Sequence, residues 1–504
     1  MQTRIHDFLT EAAAARGDTL AVIDHAGTHH GWADLLRATD DAETALRARG
    51  VKAGDRVVLV FENGISVPAF FYAVSRLNAI SVVINARLTD TELDRIFAHS
   101  DPSMVVFSTD VSGAAQAHAT HFQAEEVSGA FGTVGMMPRA GSTPEPVFDA
   151  AAEQVALMLY TSGTTGAPKA PMLTHASLIN AAHGTQEVRG MRPDDVCFLG
   201  LPLSHVYGFV TFLAMTRAQG TVRLETRFEV ERLYDALQKD VTFLPGVPQM
   251  HAHLFHYARQ HDKARYERGL LRYVSSGGAP LDPVWKRKAE AFYGLPLQNG
   301  YGLTEGAAGV CATNNELGDP DISVGQPMLN CEFRLDMTAT GAEPGQGIGE
   351  IQLGGPQVMK GYFRDPDQTA KALTDDGFFR TGDLGRFDEE GRLHIVGRSK
   401  ELIIRSGFNV YPVEIEATLT EHPEVITAGV VGRQVDGNEE VLAFVKVAEG
   451  GSVTEADLGA FIHDRLAPYK RPARIIVATQ LPTAPTGKIL KAKLIESFAG
   501  ELAG

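Results

Sequence analysis

The sequence predicts an α/β protein: a large N-terminal domain over residues 1–399 with α/β sheet subdomains and a β-rich subdomain, then a small α+β C-terminal domain over 400–504. Three observations predict it. Strand and helix patterns alternate over residues 30–110 and again over 222–300, as βαβ units and parallel sheets require. Residues 323–400 change to a polar/apolar alternation, as in Gly349-Glu350-Ile351-Gln352-Leu353, which suits antiparallel strands. Beyond Lys400 about 100 residues, a common domain size, mix both patterns.

Each element has its own signal. Trp32, Leu35, Leu36, Thr39, Ala42 and Leu46 fall on one helical face, with Gly50 past its end. Arg56–Phe61 is a mostly apolar run fit for a buried parallel strand. A helix is expected from Val67 to Leu77 and a strand at Ser81–Ile84. Thr91-Glu92-Leu93-Asp94 reads as a capping box opening another helix, and Met104–Phe107 as a strand. Residues 108–150 are weakly patterned and read as a connection with short strands. In the last hundred residues, Tyr411–His422 and Thr454–Leu466 read as helices, and Val425–Gly432, Val441–Val447 and Arg474–Val477 as strands.

Composition excludes several functions. The 504 residues carry 46 basic and 62 acidic side chains, a net charge of −16, which argues against general nucleic-acid binding. The mean hydropathy of −0.08 and 44% hydrophobic residues fit a globular chain. Cys197, Cys311 and Cys331 have no metal-ligand or disulfide spacing and read as reduced and half-buried. The longest apolar stretch, Val67 to Ile84, is interrupted by Ser75, Arg76 and Asn78, so no membrane span is expected. The N-terminus has no apolar signal region and the C-terminus no lipidation or peroxisomal signal, so the expected location is cytoplasmic.

The most informative stretch is Tyr160-Thr161-Ser162-Gly163-Thr164-Thr165-Gly166-Ala167-Pro168-Lys169, entered from an apolar strand, Val155–Tyr160. Two glycines let backbone N–H groups turn onto an anion, the hydroxyls add donors, and Lys169 adds a point charge. The spacing is not that of a Walker A loop, which needs G-x-x-x-x-G-K-[ST]. A helix follows with Thr174 as its cap, and a helix N-terminus beside such a loop favours phosphate.

Four further segments carry chemistry. Leu201-Pro202-Leu203-Ser204-His205-Val206-Tyr207-Gly208 holds a histidine in a Pro/Gly-bounded turn. Tyr273-Val274-Ser275-Ser276-Gly277-Gly278-Ala279 ends in a backbone bare enough to press against a flat ring. In Asn299-Gly300-Tyr301-Gly302-Leu303-Thr304-Glu305, Tyr301 can stack on a purine and Thr304 bond a phosphate oxygen. Glu305 is a hard oxygen ligand for Mg²⁺, which binds through one or two carboxylates plus phosphates. Asp383, in Thr381-Gly382-Asp383-Leu384-Gly385, is an acceptor-only carboxylate able to take two ribose hydroxyls, or an ordinary turn residue.

Taken together and in order, these motifs resemble those of the adenylate-forming superfamily, and acyl-CoA synthetases in particular, over essentially the whole chain. The resemblance implies ATP contacts from Thr161, Ser162, Gly163, Thr164, Thr165 and Lys169. It adds adenine contacts at Gly277, Gly278 and Ala279, and others at Asn299, Gly300, Tyr301, Gly302 and Thr304. Asp383 and Arg398 would hold the ribose and Glu305 the Mg²⁺. His205 would line the catalytic cleft, and Lys400 would be a hinge for a mobile C-terminal domain. Lys488, in Pro482-Thr483-Ala484-Pro485-Thr486-Gly487-Lys488-Ile489, matches the family's catalytic lysine. After adenylation that domain would turn and bring Ser406, Gly407 and Phe408 to the coenzyme A tunnel. Lys470, Arg471 and Arg474 form the best local basic cluster for CoA phosphates, or a solvated loop. One departure is Ala170-Pro171 after the loop, where the family usually has Gly; proline there stiffens the exit.

The implied reaction joins a carboxylic acid, ATP and CoA to give acyl-CoA, AMP and pyrophosphate. His205, Tyr207, Phe209, Val247, Gly306 and Ala307 are the expected pocket walls, and small residues there leave room for a medium-chain fatty or an aryl acid. No arginine is placed near these motifs in sequence, which disfavours a dicarboxylate. A stand-alone adenylation enzyme loading a carrier protein shares every nucleotide motif and differs in its thiol acceptor. A non-catalytic nucleotide or acyl sensor is the third class. A monomer or homodimer is expected.

Overall fold

In the computed structural model the described residues are 2–162, 168–263, 265–266, 269–279, 281–406, 408–435, 438–448, 450–483 and 489–502. Among them, two large sheets dominate the first three hundred residues. The seven-stranded sheet has at its centre the parallel strands Val155–Leu159, Ile80–Asn85, Arg56–Phe61 and Met104–Phe107. Its edges, Met172–Thr174 on one side and the hairpin Glu125–Gly129/Gly132–Pro138 on the other, are antiparallel. The central strands are buried on both faces and read as continuous apolar runs for that reason.

The nine-stranded sheet runs Gln326–Pro327, Ala308–Ala312, Leu297–Leu303, Tyr273–Gly277, Phe243–Gly246, Val196–Leu199, Thr221–Leu224, Leu20–Ile23 and His29–Gly31. One continuous core joins the two sheets through the helices Trp32–Ala48, Ser66–Arg76, His175–Arg189 and Val206–Ala218. Ser66–Arg76 and Val206–Ala218 are buried nearly all round, as helices between two apolar sheets must be.

Glu332–Asp336, Gly349–Gly354, Phe379–Phe387 and Leu393–Arg398 form the expected antiparallel sheet. After the turn Ser399–Glu401 come a hairpin, Ile403–Arg405/Phe408–Val410, and a three-stranded sheet of Val425–Val435, Asn438–Val447 and Arg474–Ala478, with the helices Pro412–Thr420 and Glu455–His463 packed beside it.

Three sequence expectations change. The capping box lies at Thr89, not Thr91: Thr89 is extended, its hydroxyl accepts from the Glu92 N–H, and Glu92 returns a bond to the Thr89 N–H at 2.8 Å. The weakly patterned 108–150 segment contains a helix, Gly113–His121, capped by Ser112, where alanines supply propensity without a strong apolar stripe. The three cysteines are fully buried and free rather than half-buried. No helix among the described residues is long and apolar enough to cross a membrane.

Candidate active site

The candidate segments converge because each follows the carboxyl end of a parallel strand, where open α/β sheets build their sites. Val155–Leu159 leads to the Gly/Thr-rich loop, Val196–Leu199 to His205, Phe243–Gly246 to Val247, Tyr273–Gly277 to Gly278 and Ala279, and Leu297–Leu303 to Thr304 and Glu305. At the loop, Thr161 pairs with Lys169 and Ser162 with Pro168. Gly163, Thr164 and Thr165 lie outside the described residues, as do Gly407 and Lys488.

Lys169, Tyr362 and Glu305 form a chain across the site. The Lys169 ammonium stands 5.3 Å above the Tyr362 ring and 3.5 Å from the Gln368 Oε1. The Tyr362 hydroxyl donates to Glu305 Oε1 at 2.8 Å. Burial, and next the Glu305 charge, raise the Tyr362 phenol far above its ordinary range, so it stays a donor. Glu305 opens to the cleft from the short turn Thr304–Gly306, and its backbone carbonyl accepts from Met359 N–H at 2.7 Å. The described residues contain no cluster of three metal-ligating side chains, so a cation here would take one carboxylate and complete its shell with phosphates. The exit residues Ala170-Pro171-Met172 are laced to 360–363, with Pro171 bridging Tyr362 and needing no N–H there.

A second group centres on Asp383. Asp383 is 4% exposed; Arg398 Nε lies 2.8 Å from its Oδ1, and the Tyr301 hydroxyl donates to its Oδ2. The Asp383 charge raises the Arg398 pKa, so the guanidinium stays charged. Gly278, at φ +79°, makes the bare turn that a flat ring needs. Asn299 is 2% exposed and donates its side-chain amide to Ser323 O at 2.9 Å, so this side chain ties the strand to its neighbour.

On the other side of the cleft, His205 caps the helix Val206–Ala218, its Nδ1 accepting from the Tyr207 N–H. The Tyr207 hydroxyl lies 3.3 Å from Ser275 Oγ, and a Cβ on Gly277 would come within 3.3 Å of the Tyr207 ring. Val247 stands beside Gly278. Phe209 does not line the cleft: it is 1% exposed and packs on Phe71 at 4.9 Å, because a helix between two sheets turns its aromatic residues into the core. Gly306 and Ala307 are buried, giving a close-packed floor.

The C-terminal segments fall less simply. Lys400 is exposed in the turn Ser399–Glu401. Ser406, at φ +52°, donates its backbone N–H to Asn438, and Phe408 is 54% exposed and stacked on Tyr469. The basic cluster is already engaged. Lys470 Nζ lies 2.6 Å from Glu414, Arg471 donates to the carbonyls of Leu466 and His463, and Arg474 pairs with Glu455 at 3.1 Å. Lys470 and Arg474 are held by partners 56 and 19 residues away, which the basic run itself does not reveal.

Sequence reasoning missed Tyr362 and Arg189. Tyr362, in Gly361-Tyr362-Phe363, gave no chemical signal of its own. Arg189 reads only as a basic residue in the last turn of a helix, the ordinary place for one. The fold carries it to Gly300, whose Cβ would lie 3.6 Å from Arg189 Nη2, and its Nη1 donates to the Tyr273 hydroxyl. An arginine therefore does stand beside the Tyr301 motif in space, although none is near it in sequence.

A glycine-rich loop and a carboxylate held by a tyrosine follow the ends of parallel strands, and an Asp–Arg pair on the antiparallel sheet joins them through Tyr301, an arrangement that suits a nucleotide-dependent enzyme. The AMP-binding enzyme family matches residues 9–363 and its C-terminal domain matches residues 414–488. The chain belongs to that family. It is 32% identical to the probable CoA ligase CCL9 of Humulus lupulus over 98% of this chain and 96% of that one. It is also 32% identical to the 2-succinylbenzoate–CoA ligase of Geobacillus kaustophilus, covering 98% of each. Among solved structures it resembles ATP-bound MatB from Rhodopseudomonas palustris, with a TM-score of 0.85, 31% identity and 99% of each chain covered.

Proposed function

We propose that this protein is an AMP-forming acyl-CoA synthetase acting on an aryl or medium-chain carboxylic acid in the cytoplasm. The observation that carries the reading is the pairing of the Lys169–Tyr362–Glu305 chain with the Asp383–Arg398–Tyr301 group on one cleft edge.

A carboxylate is a poor acylating agent because its oxygen is a poor leaving group. Its attack on the ATP α-phosphorus breaks the α–β bond, expels pyrophosphate and leaves an acyl-adenylate. Thiol attack on the acyl carbon then releases AMP. Both partners of the first step are anions, so the site's task is positioning and charge stabilisation. Loop N–H groups, Lys169, Thr304 and Lys488 supply donors and positive charge. Asp383 and Arg398 fix the ribose, and His205 stands where the acid enters. Mg²⁺ held by Glu305 would neutralise phosphate charge. Lys488 lies in the small domain, which would close for the first step, then turn about Lys400 to bring Ser406–Phe408 to the thiol.

The internal pairing of Lys470 and Arg471 favours one second reading, a free-standing adenylation enzyme whose thiol acceptor is a carrier protein. Incubation with Mg-ATP and a panel of acids, with and without CoA, separates the two. Acyl-CoA with stoichiometric AMP, and loss of adenylation in Lys488→Ala, is the expected result. Pyrophosphate release that stalls at bound acyl-adenylate despite CoA overturns the CoA-ligase reading.

A further inference from the structure

Gly277 and Gly300 are in register on neighbouring parallel strands, so both open toward the same face of the sheet. Side chains two residues apart on a strand share a face, which adds Tyr273 and Ser275 to that surface. Two groups cover it. The Tyr207 ring lies over Gly277, and the Arg189 guanidinium lies over Gly300 and 5.6 Å from the centre of the Tyr273 ring. Neither glycine puts a side chain between the His205 turn, where the reacting carboxylate would enter, and Arg189 at the far end.

Arg189 differs from Arg56, Arg272 and Arg398. Arg56 is fully buried but stands beside Asp101 and Glu145; Arg272 pairs with Asp195; Arg398 pairs with Asp383. No carboxylate among the described residues approaches Arg189, whose polar neighbours are the phenols of Tyr273 and Tyr207. Burial also pushes the Tyr207 phenol up, so it stays neutral. A guanidinium set among interior groups without a counter-charge is costly. Its fork geometry is matched to a carboxylate, which takes two parallel N–H···O bonds.

We propose that Arg189 is a specificity residue of the acid pocket, and that the preferred substrate carries a second carboxylate at its far end, received by Arg189 above Gly300 beside the Tyr273 and Tyr207 hydroxyls. This rests on the acyl-CoA synthetase reading and names its substrate class. A neutral tail of equal length leaves the guanidinium without a counter-charge. A site built for a polar group rejects the analogue lacking it far more strongly than an apolar pocket rejects an added group.

The test compares matched acids on the full chain with Mg-ATP and CoA, reading AMP and acyl-CoA: 3-phenylpropanoate against its para-carboxylate and para-hydroxyl derivatives, and hexanoate against adipate. The diacid of at least one pair should exceed its neutral partner about 100-fold or more in kcat/KM. Arg189→Met should remove that preference by lowering kcat/KM for the diacid and raising it for the neutral acid, with the KM for ATP near wild type, and Arg189→Lys should keep part of it. Wild-type preference for neutral or hydroxyl tails in every pair overturns the inference and leaves the ligase reading intact. An equal loss with diacid and neutral acid in Arg189→Met, or loss of ATP binding, assigns Arg189 a structural role and overturns it too. If Arg189→Met fails to fold, the preference measured in Arg189→Lys decides. No AMP from any acid defeats the ligase reading itself and this inference with it.

Discussion

Asp383 and Arg398 occupy paired positions on adjacent antiparallel strands, and the second Asp383 oxygen is taken by the hydroxyl of Tyr301, 82 residues earlier in the chain. The carboxylate is thus held from both oxygens. Asp383→Asn keeps the shape but removes the charge and one acceptor. The KM for ATP should rise about 10-fold or more, as loss of a charged hydrogen bond implies. Arg398 is half exposed, so the accompanying stability loss should be small, about 1 kcal/mol. ATP titration of initial rates and a thermal melt measure the two effects separately.

Tyr362 serves two groups with two parts of one side chain. Its hydroxyl holds Glu305 and its ring supports Lys169. Tyr362→Phe should raise the Mg²⁺ concentration needed for half-maximal pyrophosphate release, at a cost of about 1.5–3 kcal/mol for a bond to a charged group. Tyr362→Ala should be worse by a further factor, because the cation–π contact is lost as well. Equal effects of the two variants would show that the ring contributes nothing.

His251 links acid stability to the site. It is buried, its Nε2–H donates to the Ser275 carbonyl and its Nδ1 accepts from the Tyr293 hydroxyl at 2.7 Å. Burial lowers its pKa from 6.5 to about 4. The unfolded chain therefore takes up this proton at higher pH than the folded one, so stability is full above pH 6.5 and falls as pH drops toward 4. The slope should be about 1.4 kcal/mol per pH unit from this residue. Urea unfolding between pH 7 and 4 should show a shallower decline in His251→Gln, and an unchanged slope would sink the assignment.

Arg56 opens a strand that otherwise reads as apolar, yet its side chain is fully buried. It donates to the carbonyls of Ser100, Asp101 and Thr143 and sits near Glu145 at 3.3 Å. It thus pins residues 142–145 onto the sheet. Arg56→Met should destabilise by about 3–5 kcal/mol, the usual result of leaving buried acceptors and a carboxylate without their partner. Limited proteolysis should find new cleavage within 139–150.

The readable parts of this chain are those whose signal is local. The Val155–Leu159 strand, the Thr174 and Thr454 caps, and the helix Trp32–Ala48 follow from periodicity and hydrogen-bonding side chains within a few residues. The Thr89 cap was misplaced by two residues because Thr89-x-x-Glu92 and Thr91-x-x-Asp94 both satisfy the pattern, and only the extended backbone at Thr89 selects between them. Phe209 was misread because an apolar helix near a cleft does not state which of its faces meets the core.

By itself the sequence determined the order of most strands and helices and the glycine-rich turns, since each depends on chemistry confined to a short segment. Tertiary structure alone decided which charges are spent and which remain available. Lys470 lost its availability to Glu414, 56 residues away, while Arg189 came to Gly300, 111 residues away, with no carboxylate beside it among the described residues. Charge pairing is a short-range contact in space with no fixed separation in sequence, so it becomes visible only once the chain has folded.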